Sequence, residues 1–221
     1  MTDTNVERAS KLDCASLSDA MDRLGIRGQC LGIKPLDHRF RMAGRAFTLL
    51  YTPIGSPGGT VGDFIDDVPA GQVVVIDNAG RDDATIWGDI LTYCAHKRAL
   101  AGTVIDGVCR DTALALSLPY PIYSKGYYMR TGKDRVQLEG VNVAVTVGHV
   151  RVQAGDIMRG DSDGVVVLPS SREGEILDVA EGIERAESKI RDAIASGLSL
   201  REARAKQQYH SLQRRSDDNS K

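Results

Sequence analysis

Two apolar runs constrain this chain more than any other feature: QVVVID at residues 72–77 and TVID at 103–106. Neither alternates between apolar and polar residues as a half-exposed strand would. Continuous β-branched residues over four to six positions point to strands buried on both faces, which are found in parallel sheets covered on each side. Between the two runs, residues 85–99 carry Ile86, Ile90, Leu91 and Cys94 at helical intervals. A short helix is expected over 111–118, closed by Pro119, and a third strand over 121–124 (PIYS). An earlier strand is expected over 46–51. The order strand, helix, strand, helix, strand implies right-handed crossovers and a largely parallel layer. Upstream, residues 16–24 place Leu17, Ala20, Met21 and Leu24 on one helical face, with Gly25 as the stop.

The second half has a different character. Residues 141–147, 150–153 and 164–168 are β-rich and separated by the glycine turns QAGD and RGDSDG. From Ser170 onward the pattern is a long charged helix, or two, broken near Gly197. The expected fold class is α/β: an α/β/β sandwich over 1–169 with a C-terminal helical arm over 170–212 and a disordered tail over 213–221. The arm has too little apolar periodicity to stand free, so a neighbouring subunit is the surface expected to receive it.

The 221 residues include 28 basic and 30 acidic side chains, a net charge of −2. That balance offers no electrostatic reason to expect nucleic acid or an anionic membrane as a partner. No apolar run reaches the length of a membrane span, and the polar opening MTDTNVERASKLDC shows no secretory signal. Cys14, Cys30, Cys94 and Cys109 form no C-x-x-C pair, so reduced thiols in a cytoplasm are expected.

Several motifs reduce to ordinary structure. The glycine-rich loop 55–63 (GSPGGTVGD) lacks the G-K-[ST] ending of a P-loop and is read as flexible. Arg159-Gly160-Asp161 is read as a tight turn, and DSDG lacks the spacing of a calcium loop. His38, His96, His149 and His210 are isolated. Lys125 follows a strand, where a Schiff-base lysine would need a depressed pKa that nothing in the sequence provides.

Two segments remain: WGDIL (87–91), opening the helix after the first buried run, and CRD (109–111), after the second. Ligands of open parallel sheets bind at the carboxyl edge of the strands, so both segments can face one crevice. A helix start presents free N–H groups to a carboxylate, and Gly88 permits close approach. Asp89 and Asp111 can share a hard divalent cation, and Arg110 offers a fixed cationic fork. Together these are what a 2-oxo acid needs. The alternative is that Arg110 merely pairs with an aspartate to close its loop, with Asp106 supporting the turn.

G-D-I-L, about twenty residues, then AGTVIDGVCRD resembles the RraA-like family. That family holds the 4-hydroxy-4-methyl-2-oxoglutarate and 4-carboxy-4-hydroxy-2-oxoadipate aldolases and the RraA regulators of ribonuclease E. SLSDAMDRLGI, VVVIDNAGRDDATIWGD and QAGDIMRGDSDGVVVLP extend the resemblance over most of the chain. Cys109 stands where the family often has valine. The resemblance implies a swivelling-domain-like fold in homotrimers or hexamers with sites at subunit interfaces. It implies that Gly88, Asp89, Ile90 and Leu91 seat the substrate. Arg110 would bind beside the keto oxygen, Asp111 would ligate Mg²⁺ or Mn²⁺, and Asp89 would act on the metal through water. An acidic residue of a neighbouring arm completes the aldolase site; Glu184, Glu187 and Glu202 are the candidates here. The expected activity is metal-dependent cleavage of a 4-hydroxy-2-oxo acid to pyruvate, catalysed by Arg110 and Asp89, with oxaloacetate decarboxylation beside it. The alternatives are a non-catalytic regulator of ribonuclease E and a metal-dependent decarboxylase of another 2-oxo acid.

Overall fold

The computed structural model describes residues 3–207. Helices α1 (Thr4–Ser10) and α2 (Cys14–Leu24) precede a short strand β1 (Lys34–Pro35) and the long strand β2 (Met42–Pro53). Then come β3 (Val73–Arg81), α3 (Asp89–Lys97), β4 (Gly102–Cys109), α4 (Thr112–Ser117) and β5 (Ile122–Tyr127). Strands β6 (Val136–Val141), β7 (Val145–Val147), β8 (Val150–Val152), β9 (Ile157–Asp161) and β10 (Gly164–Leu168) follow. Helices α5 (Glu173–Ala195) and α6 (Leu200–Lys206) complete the described chain.

The two apolar runs lie at the centre of the sheet. β2, β3, β4 and β5 are parallel, with Ala46 opposite Val73, Val73 opposite Gly102 and Thr103 opposite Ile122. Both faces are covered, which is why neither run needed a polar side. On one face Leu49, Ile76 and Ile105 pack under α3, α4 and a 3-10 turn at Phe64–Asp67, with Trp87 and Tyr120. On the other, Val75, Val104 and Tyr123 meet the β7–β8 hairpin together with Met158 and Val167 of β9 and β10. β9 runs antiparallel to the first residues of β2, and β10 pairs with β9. The outer face of β9–β10 presents Ile157, Val166 and Leu168 to α2 and α5, through Leu17, Met21, Ile176 and Ile183. The result is the expected α/β/β layering with an additional helical layer outside it.

Local chemistry sets the ends of α2. The Asp13 side chain accepts from the Ser16 amide at its start, and Gly25 closes it in the left-handed conformation.

Several expectations are corrected. The helix expected over 85–99 is Asp89–Lys97, because Thr85 pairs with Thr131 in an isolated bridge and Gly88 is extended. The 141–147 run breaks at Asn142, whose φ of 54° ends β6. Arg159-Gly160-Asp161 is buried strand, not turn. The Arg159 Nε donates to Leu12 O at 2.9 Å, and Asp161 Oδ2 accepts the Cys14 amide at 2.8 Å, fixing the α1–α2 corner to β9. The glycine-rich loop read as flexible is fastened: Gln137 Oε1 accepts from Gly55 N at 3.0 Å and Gly59 N at 2.9 Å. The first half of the arm packs on its own chain, where Ile176, Leu177, Ala180 and Ile183 are buried, while Ile194 and Leu200 further along stay exposed. Helix α1 has no apolar stripe and was not foreseen, and the expected disordered tail lies outside the described residues.

Arg45 ties the helical layer to the sheet. It donates to Glu173 Oε1 at 2.9 Å and to Asp3 Oδ2 at 2.7 Å, joining β2 to the starts of α5 and α1. Hydrogen bonds from Arg45 hold both carboxyls below their ordinary range. A depressed folded pKa contributes stability above the unfolded pKa and loses it as pH falls through the folded value. Glu173→Gln is therefore expected to cost about 2 kcal/mol at pH 7. The gap between wild type and variant should shrink below about pH 4, as the wild-type carboxyl also loses its charge. Thermal unfolding at pH 7 and pH 3 checks this; an equal gap at both would remove the charge from the account.

Candidate active site

The loops after β3 and β4 are stitched together at the carboxyl edge. The Arg110 amide donates to Trp87 O at 3.0 Å, and Tyr128 N to Cys109 O at 2.9 Å. Trp87 is buried and stacks on Tyr120, with ring centroids 6.3 Å apart. Its indole N–H donates to Thr92 Oγ1 at 3.0 Å, and that hydroxyl donates to Gly88 O at 2.9 Å. One buried threonine thus fixes both the tryptophan and the first turn of α3.

Gly88 has an ordinary extended φ of −142°, so its need for glycine is one of space. A Cβ there would stand 2.7 Å from Asp111 Oδ2 and 3.2 Å from Arg110 Nε. Asp111 is left-handed, at φ 55°, a conformation aspartate tolerates better than most residues. It occupies the N-cap position of α4 but makes no capping bond with its side chain. The carboxylate turns back instead: Oδ2 accepts the Asp89 amide at 3.3 Å and lies 3.3 Å from Arg110 Nε. The structure therefore brings Gly88, Asp89, Arg110 and Asp111 together as expected from the two segments.

Gly88, Asp89 and Arg110 border an open cleft of about 300 Å³, and Asp111 lines a second hollow on the other side of Arg110. Ile90 and Leu91 line the cleft as expected. The Ile90 amide is taken by Asp89 Oδ1 at 2.8 Å, whereas the Leu91 amide donates to nothing among the described residues. Arg110 and Asp111 side chains are 38% and 42% exposed, and the terminal nitrogens of Arg110 have no partner among the described residues. Burial raises the Cys109 thiol above its ordinary range, which keeps it a neutral packing group behind the arginine. The opposite wall, Val61–Asp63 and Thr131–Gly132, was not anticipated. It comes from the fastened glycine loop and from the turn paired with Thr85, and neither contact has a local sequence signal.

Other candidates are placed elsewhere. Asp106 and Lys125 form an ion pair at 2.8 Å, and neither borders the cleft. Glu202 closes a capping box with Ser199 at the start of α6, while Glu184 and Glu187 pair with Arg191 on α5. None of the three lines the cleft of its own chain. Among the described residues no three His, Cys, Asp or Glu side chains gather as a metal cage. The donors present, Asp111 with Asp89 close by, suit a hard cation that keeps waters and takes its other oxygens from substrate.

The pattern of the RraA-like family, described as Aldolase/RraA, matches residues 14–167. The chain belongs to this family. It is 39% identical over 193 residues to DlpA of Legionella pneumophila, covering 86% of this chain but only 31% of DlpA. The chain thus spans about a third of that relative's length. A Halalkalibacterium halodurans protein with the provisional name 4-hydroxy-4-methyl-2-oxoglutarate aldolase is 30% identical over 180 residues, 81% of this chain and 83% of that protein. Among solved structures, an uncharacterized protein from Pseudomonas syringae pv. tomato is similar at TM-score 0.86 and 40% identity, over 92% of this chain and 98% of that one. Streptomyces coelicolor RraAS2, described as an unusual member of the RNase ES inhibitor RraA family, matches at TM-score 0.79 and 27% identity, over 86% and 97%. No helix among the described residues is long and apolar enough to cross a membrane.

Thr92→Val keeps the shape of the buried threonine and removes both hydrogen bonds. Leaving the Trp87 N–H unpaired is expected to cost about 2 kcal/mol, with Thr92→Ser restoring most of it. Urea unfolding followed by fluorescence of Trp87, the single tryptophan, measures this. Equal stability of the valine and wild-type proteins would contradict it.

Proposed function

We propose that this chain is a divalent-metal-dependent lyase that cleaves a 4-hydroxy-2-oxo acid to pyruvate, with oxaloacetate decarboxylation as a side activity. The observation that carries the reading is Arg110, whose terminal nitrogens are unpaired among the described residues: it lines the cleft that Asp89 borders and, on its other side, the adjoining hollow that Asp111 borders. The relative with the provisional aldolase name supports it. The resemblance further suggests homotrimers or hexamers in a cytoplasm.

Asp111, assisted by Asp89, would hold Mg²⁺ or Mn²⁺. When bound, the cation would polarise the keto and carboxylate oxygens of the substrate. The substrate carboxylate would seat on the Leu91 amide and compete with Asp89 for the Ile90 amide. Winning that amide frees Asp89 to accept the 4-hydroxyl proton. Cleavage of the C3–C4 bond then leaves its electron pair on a pyruvate enolate, and C3 is reprotonated. Arg110, preorganised by its backbone bond to Trp87, stabilises the developing oxyanion. Loss of CO₂ from oxaloacetate leaves the same enolate.

A protein-binding regulator, as in the description of RraAS2, is the competing reading. Such a role would leave the free Arg110 fork and the turned-back Asp111 without a task.

Pyruvate release from oxaloacetate and from a panel of 4-hydroxy-2-oxo acids tests the proposal. Turnover should require Mg²⁺ or Mn²⁺ and stop with chelator. Arg110→Ala should lower it on the order of 10²-fold. A folded wild-type protein that turns over nothing in the presence of metal would sink the lyase reading and favour capture of the ribonuclease in a pull-down.

A further inference from the structure

The cleft that Arg110 lines also holds an unpaired carboxylate. Asp63 lines the cleft and starts the 3-10 turn at Phe64–Asp67 without a side-chain capping bond. Its carboxylate makes no hydrogen bond or ion pair among the described residues. The backbone around it is anchored on both sides. Tyr51 OH donates to Val61 O at 2.6 Å, the Gly62 amide donates to Thr60 Oγ1 at 3.1 Å, and Phe64 and Ile65 are buried in the core. The backbone that carries Asp63 is thus fixed, and its exposed carboxylate stands at the cleft where a bound molecule would meet it.

The balance of charge in the cleft is one-sided. Arg110 is the only cation among its lining residues, against Asp63 and Asp89. Nearby, the Arg135 guanidinium is engaged by the carbonyls of Thr131 at 3.2 Å and Lys133 at 3.0 Å. A substrate whose carboxylate takes the Leu91 amide and whose keto oxygen takes Arg110 finds no second cation among these lining residues for another carboxylate. A carboxylate at its far end would meet Asp63, whereas a hydroxyl there could donate to it. Rejection of like charge and a hydrogen bond to the correct partner would both favour the hydroxyl.

We propose that Asp63 is a specificity residue, and that the substrate is a 4-hydroxy-2-oxo acid with an uncharged, hydroxyl-bearing far end. This rests on the lyase reading and departs from the name of the Halalkalibacterium relative, since a 2-oxoglutarate carries a second carboxylate. Cleavage breaks C3–C4, moves the 4-hydroxyl proton to the enzyme and a proton to C3, and releases pyruvate with a hydroxyaldehyde.

The test compares two substrates with five carbons, 4,5-dihydroxy-2-oxopentanoate and 4-hydroxy-2-oxoglutarate, which differ only at C5. The wild type with Mg²⁺ is expected to favour the first in kcat/KM by about tenfold or more, the worth of one hydrogen bond. Asp63→Asn, and Asp63→Ser as a second variant, should reduce that preference by about tenfold, and Asp63→Lys should invert it. Each variant is first compared with wild type by thermal unfolding. Exchange of the C3 protons of pyruvate in D₂O serves as a reference for the wild type, because pyruvate has no far end. Exchange with a preference for the oxoglutarate, or with a ratio that neither the Asn nor the Ser variant moves, overturns the specificity proposal alone. Neither exchange nor turnover of either substrate overturns it together with the lyase reading.

Discussion

Gly88 and Asp111 share a space that would not hold a Cβ on the first and the present carboxylate on the second. The rest of the site depends on this close approach. With no side chain at 88, the backbone entering α3 can lie against the loop leaving β4. The Arg110 amide can then reach Trp87 O, and the Asp111 carboxylate can reach the Asp89 amide. The first turn of one crossover helix and the charged end of the neighbouring strand become one surface.

Rigidity and availability are separated across that surface. Behind it lie Trp87, Thr92 and Tyr120, all buried and hydrogen-bonded or stacked. In front lie the Leu91 amide, the Arg110 terminal nitrogens and the Asp63 carboxylate, each without a partner among the described residues. Polar groups that water satisfies in the free chain can be offered to a ligand without breaking a structural bond. The packed residues keep those groups in register, so little ordering remains for binding to supply.

The parallel core was legible because burial on both faces leaves a continuous apolar run, and Gln72–Asp77 shows it without help from tertiary contacts. The α2 helix was legible through its apolar stripe and Gly25. The start of α3 was not, since Thr85 and Ile86 fit a helical period while their backbone pairs with the distant Thr131. Arg159 and Asp161 were misread for a related reason. Charged residues beside a glycine look like a turn; inside the fold they are satisfied by the carbonyls of Leu12, Met42 and Gly160 and by the amides of Cys14 and Asp163. The near half of the site lay in two short segments after consecutive strands, a placement that topology predicts. The far wall lay in residues brought in by Tyr51 and Thr85, and no spacing rule reaches across those separations.

The charges of IDGVCRD show why neighbouring ion pairs can have different roles. Asp106 projects from β4, with its side chain only 10% exposed, and is neutralised by Lys125 at 2.8 Å. Removing either partner would strand a charge in a poorly solvated place, so the pair is committed to structure. Gly107, at φ 155°, then bends the strand and the pairing register shifts. Arg110 and Asp111 emerge beyond that bend about 40% exposed and meet through a single 3.3 Å contact. An exposed pair of that geometry contributes little to stability. Breaking it to bind an anion therefore costs little, and the three residues from Gly107 to Cys109 are enough to separate a structural carboxylate from an available arginine.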